Sequence, residues 1–424
     1  MAQAAFPEPD VALAERLFGA FRAETAGRLG VVRASYGEGE EAAHRLVRES
    51  AVALGLEVAE DAARNLYLSL PGADRTARSL FMGSHLDSVP EGGNYDGAAG
   101  VLAGIAVLAG FKRAGHVPPF DLSVAAFRAE EAAWFDIAYG GSHAAFGRLP
   151  LAALDVRRTD TGRPLAEHMR DAGCDVAAVR AGTPFLDPAR LRGYIELHIE
   201  QGPVLEAEGF AVGIVSGIRG CLRFRRAGCL GAYAHSGAEP RRSRRDAVAA
   251  TVALVQRLND EWERLEGTGE DLAFTVGELT TDPAQHGPSK VAGETRFVLD
   301  FRSLEDSTMR HMAAFAERHA AELAKRYRVQ FALGEPSYSA PARLDATLRQ
   351  GLTLAAEDLG VPTMVLASGA GHDAVVFATA GVPSAMMFIR NQHGSHNPHE
   401  AMAIQDFAAA TRILANHLAR ETAA

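Results

Sequence analysis

The 424-residue chain contains only three cysteines, Cys174, Cys221 and Cys229. Three thiols cannot build the disulfide framework of a small secreted protein, and unpaired cysteines are typical of a reducing cytosol. We therefore expect three free thiols and a cytoplasmic protein. Residues 1–8 also lack a basic stretch followed by an apolar core, so we expect neither a signal peptide nor an N-terminal membrane anchor.

The sequence also lacks an excess of positive charge and a long apolar segment. Its 43 Lys and Arg residues against 53 Asp and Glu residues give a formal net charge of -10, whereas nucleic-acid-binding proteins usually carry a basic surface. No apolar stretch reaches the ~20 residues that cross a bilayer. We therefore expect no nucleic-acid partner and no membrane partner. The hydrophobic content of 47% and the charged content of 23% suit a globular chain with two domains.

What the sequence does contain is histidine and carboxylate residues at the ends of apolar runs. The apolar residues 80–82 predict a buried strand, and His85 and Asp87 follow at its carboxyl end, where open α/β sheets place their sites. Asp96 follows in Gly-Gly-Asn-Tyr-Asp-Gly. Three further segments repeat the pattern: Glu130 and Glu131 after the strand-like run 122–127, His198 within Glu196–Pro203, and His396 within His393–Glu400.

These side chains together predict a metal-dependent hydrolytic site. Imidazole and carboxylate ligands without cysteine suit zinc, manganese, cobalt or nickel, and one carboxylate can bridge two ions about 3.5–4 Å apart. The adjacent Glu130 and Glu131 can have different chemical roles, since one can bind a cation while the other accepts a proton from water. Each segment alone has a simpler interpretation. A single histidine beside a strand is usually a hydrogen-bonded structural residue, and a glutamate pair can merely stabilise a helix start.

The order of elements predicts an α/β fold with a mostly parallel sheet and an inserted smaller α/β unit. Strand-like and helical segments alternate up to about residue 211, as in βαβ units. The glycine-marked segment 211–217 is interpreted as a hinge. The following strands and helices predict an inserted domain over 213–328, and the first domain combines 1–212 with 329–424. The segments that support this division are strands at 222–230, 296–301, 364–366 and 385–388 and helices at 246–265 and 307–325.

The motifs in this order resemble a known family. They are Gly-Ser-His-Leu-Asp-Ser, Gly-Gly-Asn-Tyr-Asp-Gly, Glu-Glu, Glu-Leu-His-Ile-Glu-Gln-Gly-Pro, Ala-His-Ser-Gly and Ser-His-Asn-Pro-His-Glu. They look like the carbamoylase and allantoate amidohydrolase branch, the hydantoinase/carbamoylase-type amidases, of the aminoacylase-type dinuclear metallopeptidases. The resemblance runs from about residue 85 to about residue 400, and Glu196–Pro203 is its most specific part. It implies two divalent ions per chain, zinc or manganese with cobalt or nickel as alternatives.

The resemblance also assigns roles to the residues around those ions. His85 and His198 would bind one ion, Glu131 and His396 the other, and Asp96 would bridge them. Asp87 would orient His85, since metal-bound imidazoles usually need such a partner. Glu130 would be the general base.

The inserted domain would act as a lid and carry the interface of a homodimer. His235, in Ala-His-Ser-Gly, would reach the active site of the partner subunit and stabilise the oxyanion there. The alternative is a structural histidine whose hydrogen bonds are satisfied within a sheet. Arg302 matches the position that binds the carboxylate of a small-molecule substrate, and the alternative is a surface salt bridge to a nearby aspartate. Gln201 is assigned to the same substrate pocket.

A glycine-rich loop that contains Gly369 and Gly371 completes the predicted substrate site. It lacks the Gly-Lys-Ser/Thr ending of a nucleotide-binding loop. We therefore interpret it as a cradle of backbone amides for the substrate carboxylate, with Asp373 as a helix cap.

Departures from the family pattern leave the substrate open. Cys221 and Ser289 replace a glutamine and an asparagine that line the pocket in carbamoylases, and Trp134 and Arg241 are also unusual. The arginines at 241, 242, 244 and 245 form either an anion-binding patch or a solvated charge run. The predicted activity is hydrolysis of an N-carbamoyl-L-amino acid or a similar ureido acid. The alternatives are an allantoate or ureidoglycolate amidohydrolase, a dipeptidase or aminoacylase-like amidase, and a silent relative that binds a small acid.

Overall fold

A computed structural model of the protein describes residues 6–423. The chain divides into two units, of which the first combines the residues up to 216 with those from 344 onwards, and the second, the inserted unit, spans 217–343. Residues 1–5, where no signal peptide is expected, lie outside the described residues. Among residues 6–423, no helix is both long enough and apolar enough to cross a membrane.

The helices and strands are numbered along the whole chain. The helices are α1 (Val11–Glu24), α2 (Glu38–Ala53), α3 (Ala98–Arg113), α4 (Ala132–Phe135), α5 (Gly140–Ala145), α6 (Leu165–Asp171), α7 (Val176–Arg180), α8 (Val204–Glu208), α9 (Ala247–Glu266), α10 (Asp306–Tyr327), α11 (Ala346–Asp358), α12 (Asp373–Thr379) and α13 (Ile404–Ala423). The strands are β1 (Glu57–Glu60), β2 (Leu66–Leu70), β3 (Ser79–His85), β4 (Leu122–Phe127), β5 (Leu191–Ile199), β6 (Val212–Ile218), β7 (Gly220–Leu230), β8 (Ala234–His235), β9 (Ala273–Thr280), β10 (Lys290–Val291), β11 (Glu294–Ser303), β12 (Gln330–Ala332), β13 (Ser337–Ser339), β14 (Ala342–Arg343), β15 (Thr363–Ser368) and β16 (Ser384–Ile389).

The sheet of the first unit is parallel at its centre. Its strand order is β1-β2-β4-β3-β5-β16-β6, with β15 paired to β6. The neighbours β4, β3, β5 and β16 run parallel to one another, whereas β1, β2 and β6 pair antiparallel to their neighbours. The predicted α/β class with a mostly parallel central sheet is therefore confirmed.

Helix α3 lies at the centre of this unit because its sequence is apolar on every side. Every residue from 98 to 111 is buried, as expected for a helix that is covered all round by other elements. It contacts β3, β5, α1 and α13. The loop before α3 carries Asp96, so the helix fixes that loop against the ends of the central strands.

The inserted unit is an antiparallel sheet covered by two helices. Its strand order is β12-β7-β11-β9, with β13 also paired to β7. Helices α9 and α10 contact each other and strands of this sheet. The two-residue strands β8 and β10 form a separate antiparallel pair. The core contains three phenylalanines and two methionines of the elements just named, Phe224, Phe297, Phe301, Met309 and Met312.

The first boundary, between residues 216 and 217, lies within the segment 211–217 that we interpreted as a hinge, and most of this segment forms strand β6, which pairs with β16. The expected second boundary needs correction. The second boundary lies after Arg343 rather than after residue 328. The reason is that β12 and β13, which follow residue 328, still pair with β7 of the inserted unit.

Candidate metal centre

The predicted ligands meet because neighbouring parallel strands end at one edge of the sheet. His85 is the last residue of β3, Glu131 follows β4, His198 lies near the end of β5, and His396 follows β16. The carboxyl ends of parallel strands lie side by side. The loop before α3 brings Asp96 to the same edge, so all five predicted ligands belong to the first unit.

Asp96 lies between two groups of ligand atoms. Its Oδ1 is 3.5 Å from His85 Nε2 and 3.2 Å from His198 Nε2. Its Oδ2 is 3.5 Å from His396 Nε2, which is itself 3.4 Å from Glu131 Oε1. Three groups of three side chains could each hold a metal ion: His85 with Asp96 and His198, Asp96 with Glu131 and His396, and His85 with Glu130 and Glu131. The first two groups share Asp96. A carboxylate shared in this way has the arrangement of a bridging ligand.

Two buried oxygens at this cluster indicate that a cation fits. Asp96 Oδ1 and Glu131 Oε1 are buried and have no hydrogen-bond partner among residues 6–423. A buried carboxylate oxygen without a donor is costly, and a bound cation would compensate it. The three imidazoles and two carboxylates also match the ligands of zinc, manganese, cobalt and nickel.

The two histidines of the first group present their Nε2 atoms to the cluster. Nδ1 of His198 lies 2.9 Å from the carbonyl oxygen of Ile199, and Nδ1 of His85 lies 3.1 Å from the carbonyl oxygen of Asp87. A carbonyl oxygen can only accept, so Nδ1 carries the proton in each neutral ring. The Nε2 lone pair of His85 then faces the cluster, whereas that of His198 accepts from the backbone N–H of Gly97 at 3.1 Å, a contact that a bound ion would replace.

Asp87 connects the end of β3 to the glutamate pair. One carboxylate oxygen lies 3.3 Å from His85 Nδ1 and accepts from the backbone N–H of Glu130 at 3.1 Å. The other accepts from the N–H of Glu131 at 3.1 Å and from the Ser35 hydroxyl at 2.7 Å. Because Asp87 is fully buried, these contacts fix His85 and both glutamates relative to one another.

The charges of the cluster favour a cation within it. Burial lowers the pKa of His85, but the carboxylates of Glu130, Asp87 and Asp96 overcome this effect and raise that pKa well above its usual value. The carboxylate of Glu131, 3.4 Å from His396 Nε2, is the main cause that raises the pKa of His396 to about 9. The carboxylates therefore make the cluster favourable for positive charge. Histidines bind a metal ion in their neutral form, so a bound ion would take the place of any protons that they hold.

Glu130 has the position and environment of a general base. Its Oε2 lies 3.8 Å from His85 Nε2. Burial first, and then the charges of Glu131 and other nearby carboxylates, raise its pKa well above its usual value, although His85 opposes the shift. A carboxylate with a raised pKa can both accept and return a proton near neutral pH.

The backbone around the cluster is strained. Ala129, Gln201 and His396 have φ angles of +51°, +64° and +58°, which residues other than glycine rarely adopt. Such residues concentrate at functional sites when the surrounding structure holds them. Gly97 also has a positive φ, +66°, and a side chain at that position would collide with the His85 imidazole.

Two residues that hold Asp96, the predicted bridging ligand, were given no role in the sequence prediction. Glu400 Oε1 accepts from the backbone N–H groups of Tyr95 at 2.9 Å and Asp96 at 3.3 Å. The Ser395 hydroxyl lies 2.5 Å from Asp96 Oδ2 and 2.6 Å from Glu400 Oε2. Both residues stand in the Ser-His-Asn-Pro-His-Glu motif, so their positions were visible, but their contacts across the chain were not.

Some of the predicted substrate residues also lie in the first unit. Gln201 Nε2 donates to Asp96 Oδ2 at 2.8 Å and lies 3.3 Å from His396 Nε2, which places this amide at the cluster. Gly369 and Gly371 lie in the loop between β15 and α12. Asp373 is not the cap of α12 but its first residue, and its buried carboxylate accepts from the Ser142 hydroxyl at 2.6 Å.

Trp134 packs into a hydrophobic cluster of the first unit. Its indole N–H donates to the carbonyl oxygen of Ser88 at 2.7 Å, and only 5% of the residue is exposed. The unusual aromatic residue after the glutamate pair therefore supports the loop that carries Asp87.

His235 and Arg302 belong to the inserted unit. Nδ1 of the exposed His235 accepts from the backbone N–H groups of Gly237 at 3.2 Å and Ala238 at 3.1 Å. The neutral ring therefore carries its proton on Nε2, which makes that atom a hydrogen-bond donor. Arg302 forms an ion pair with Asp300 at 3.1 Å. This is the contact that we gave as the alternative to substrate binding.

The two residues that depart from the carbamoylase pattern in the inserted unit lie beside these groups. The Cys221 thiol donates to Asp300 at 3.2 Å. The carbonyl oxygen of Ser289 accepts from the N–H of Ser236 at 2.7 Å, next to His235. The three cysteines are free thiols, as predicted.

Comparison with known proteins places these observations in context. Residues 81–420 match the sequence profile of peptidase family M20/M25/M40. The chain is 36% identical to the N-carbamoyl-L-amino acid amidohydrolase of Geobacillus stearothermophilus over 91% of its length and 92% of that protein. It is 30% identical to the allantoate amidohydrolase of Escherichia coli (strain K12), with 93% of both chains covered. A crystal structure of a hydantoinase/carbamoylase family amidase from Burkholderia ambifaria superposes with a TM-score of 0.87 at 30% identity, over 98% of this chain and 97% of that one.

Proposed function

The chain belongs to peptidase family M20/M25/M40, and we propose from this premise that it is a two-metal amidohydrolase that cleaves an N-carbamoyl-L-amino acid. The observation that carries the proposal is the position of Asp96 between the two ligand groups, with Glu130 beside them. We assign one ion to His85 and His198 and the other to Glu131 and His396. The ions are zinc or manganese in this proposal, with cobalt or nickel as alternatives.

The residues of the site account for hydrolysis of the ureido group. Two divalent ions, when bound, lower the pKa of water and polarise the substrate carbonyl. Glu130 takes a proton from the water that attacks the carbamoyl carbon and returns it to the amino-acid nitrogen as the C–N bond breaks. The products are the free amino acid and carbamate, which decomposes to carbon dioxide and ammonia. Asp87 holds the His85 side chain and the Glu130 backbone in fixed positions during the reaction.

The inserted unit supplies the remaining groups in this proposal. The Nε2–H of His235 donates to the oxyanion that forms as water attacks. Arg302 binds the carboxylate of the substrate, and its ion pair with Asp300 orients the guanidinium. Backbone amides of the loop with Gly369 and Gly371, together with Gln201, complete the substrate site.

Allantoate or ureidoglycolate is the second candidate substrate. The chain is 30% identical to an allantoate amidohydrolase and 29% identical to a ureidoglycolate hydrolase of Arabidopsis thaliana. A dipeptidase or aminoacylase-like activity is the next alternative. A silent relative that only binds a small acid would need neither Glu130 nor all five ligands, so their presence favours an enzyme.

A substrate panel distinguishes these assignments. The protein loaded with manganese or zinc is assayed with N-carbamoyl-L-amino acids, allantoate, ureidoglycolate, N-formyl and N-acetyl amino acids, and dipeptides. We expect kcat/KM for an N-carbamoyl-L-amino acid to exceed that for the matching N-acetyl amino acid by at least about 10-fold, because polar groups that bind the ureido NH₂ lose their partner.

The matching N-carbamoyl-D-amino acid serves as the control for stereochemistry. A preference for allantoate or ureidoglycolate would move the assignment to the second candidate. If dipeptides were cleaved as fast as the ureido acids or faster, the assignment as an amidohydrolase of ureido acids would be wrong.

We also propose that the protein is a homodimer that pairs through the inserted unit. Strand β9 is an edge of that unit's sheet, and Leu279 on it is 48% exposed. On helix α9, Val248 and Val252 are 36% and 54% exposed. Apolar side chains on an edge strand and an adjacent helix suit a self-complementary two-fold interface. We propose in addition that the protein is cytoplasmic, as expected from its three free thiols.

Mixing two inactive variants tests whether His235 acts on the partner subunit. His235→Ala and Glu130→Gln are combined under conditions that exchange subunits. If His235 acts in trans, a mixed dimer has one site with both groups intact. Equal amounts should then recover about a quarter of the wild-type activity, because random two-fold pairing makes half of the dimers mixed. No recovery, despite proven subunit exchange, would leave His235 as a same-chain or structural residue.

A further inference from the structure

The segment that presents Glu130 and Glu131 is held by buried side chains rather than by regular secondary structure. Four consecutive backbone N–H groups, from residue 128 to residue 131, donate to side-chain oxygens. The Arg128 N–H donates to Asn65 Oδ1 at 3.0 Å and the Ala129 N–H to Glu40 Oε1 at 3.0 Å. Those of Glu130 and Glu131 donate to Asp87, both at 3.1 Å. The position of the base therefore depends on these three acceptors.

Glu40 is the acceptor at the strained residue. Ala129 has a φ of +51°, a conformation that the surroundings must enforce. Glu40 lies in the first turn of α2 and is fully buried. Its second oxygen accepts from the Tyr36 N–H at 2.8 Å and from Arg128 Nη1 at 2.9 Å. One carboxylate therefore holds both the Ala129 N–H and the side chain of the residue before it.

Arg128 makes this contact an unusual one for a protein interior. Its side chain is fully buried, like that of Glu40, and its Nε donates to the carbonyl oxygen of Arg64 at 2.7 Å. A buried ion pair is weak support for stability, because the desolvation of both ions offsets their attraction. Where such a pair is retained, its geometry can instead fix a conformation. Here the conformation that it fixes is the turn that leads into Glu130.

We propose that Glu40, paired with Arg128, is a positioning residue for the general base. The proposal rests on the assignment of Glu130 as that base. Glu40 acts by fixing the Ala129 N–H, which sets the direction in which the chain enters residue 130. Asp87 anchors the N–H groups of both Glu130 and Glu131, but Glu130 is the residue that directly follows the turn held by Glu40. Loss of Glu40 should therefore disturb proton transfer more than metal binding.

Glu40→Gln tests this role, with Glu41→Gln as the matched control. Glutamine has a single acceptor oxygen, and the charged guanidinium of Arg128 takes it, so the amide NH₂ faces the Ala129 N–H. We expect kcat to fall by about 10- to 100-fold, as small misplacements of catalytic groups do, with KM and metal content unchanged. Glu41 lies 2.7 Å from the same guanidinium, but its side chain is 35% exposed. The kcat of Glu41→Gln should therefore stay within about twofold of the wild-type kcat.

A double variant separates positioning from general damage. If Glu40 acts through Glu130, Glu40→Gln should cause no further loss in a Glu130→Gln background, since residues of one catalytic unit are non-additive. Losses that multiply, a loss of metal that matches the loss of kcat, or full kcat in Glu40→Gln would each overturn the proposal. If Glu40→Gln does not fold, Asn65→Ala withdraws the neighbouring acceptor without unpairing a charge. Asn65→Ala should also lower kcat, and this loss should not add to the loss caused by Glu130→Gln. A loss that adds to it, or no loss at all, would overturn the proposal.

The two proposals fail in different ways. A Glu130→Gln variant with wild-type kcat would overturn the proposed mechanism itself. An inactive Glu130→Gln variant together with a fully active Glu40→Gln variant would remove only the role of Glu40.

Discussion

Glu130→Gln is expected to lower kcat by about 10²–10⁴-fold, since general acid–base catalysis contributes about that much. Glutamine keeps the size and shape of glutamate but cannot accept a proton. Glu130 is held in the fold by its backbone contact with Asp87, so its side chain can change without release of the segment. The rate constants are measured under saturating substrate, with metal content and thermal unfolding followed on the same samples.

The neighbouring glutamate provides the comparison for this variant. Glu131→Gln removes a carboxylate that we assign to a metal, so it should lose both bound metal and activity. Glu130→Gln should lose activity alone. If Glu130→Gln turned over substrate at the wild-type rate, the assignment of the base would be wrong; if it lost metal, Glu130 would be a ligand rather than the base.

The strands that carry the metal cluster were predictable because they are buried on both faces. Strand β4 at residues 122–127 and strand β16 at residues 384–389 are buried throughout. Such strands appear in a sequence as continuous apolar runs. The polar residue that follows each run lies at the carboxyl end of a central strand. This is why His85, Glu131, His198 and His396 could be grouped before their distances were known.

The contacts that hold the cluster could not be predicted in the same way. The Glu400 carboxylate binds the backbone next to Asp96 from a position 305 residues further along the chain than Tyr95. The contact between Glu40 and Ala129 spans 89 residues. Neither leaves a local periodicity in the sequence, because the partners are brought together only by the packing of distant elements.

The error at the second domain boundary has a similar cause. The short strands β12 and β13 carry little apolar signal of their own. They belong to the inserted unit because their backbones pair with β7. Backbone pairing between short segments is a tertiary property that local patterns do not record.

Removal of the metal ions is expected to have the largest effect on activity. A bound divalent ion lowers the pKa of water towards ~7, so the chelated protein should lose turnover by at least about 10³-fold. The fold should persist, because the ligands are also tied by side-chain and backbone contacts such as those of Asp87 and Glu400. Turnover, bound metal and thermal unfolding are measured before and after chelation.

Asp96→Asn isolates the role of the bridging carboxylate in this experiment. Asparagine keeps the shape of the side chain but offers only one oxygen and no charge, so it cannot serve both ligand groups. We expect this variant to bind less metal than the wild type and to recover little activity when metal is added. Gln201→Ala alters a neighbour that donates to Asp96 Oδ2 without removal of an assigned ligand, and it should still recover bound metal.

Titration of the chelated wild-type protein with manganese or zinc tests the central claim most directly. Bound ions per chain and turnover are recorded at each addition. We predict that turnover returns with the metal and reaches its maximum at two ions per chain. Full turnover in the metal-free protein, or fewer than one bound ion per chain with no gain in turnover on addition of either metal, would contradict the claim.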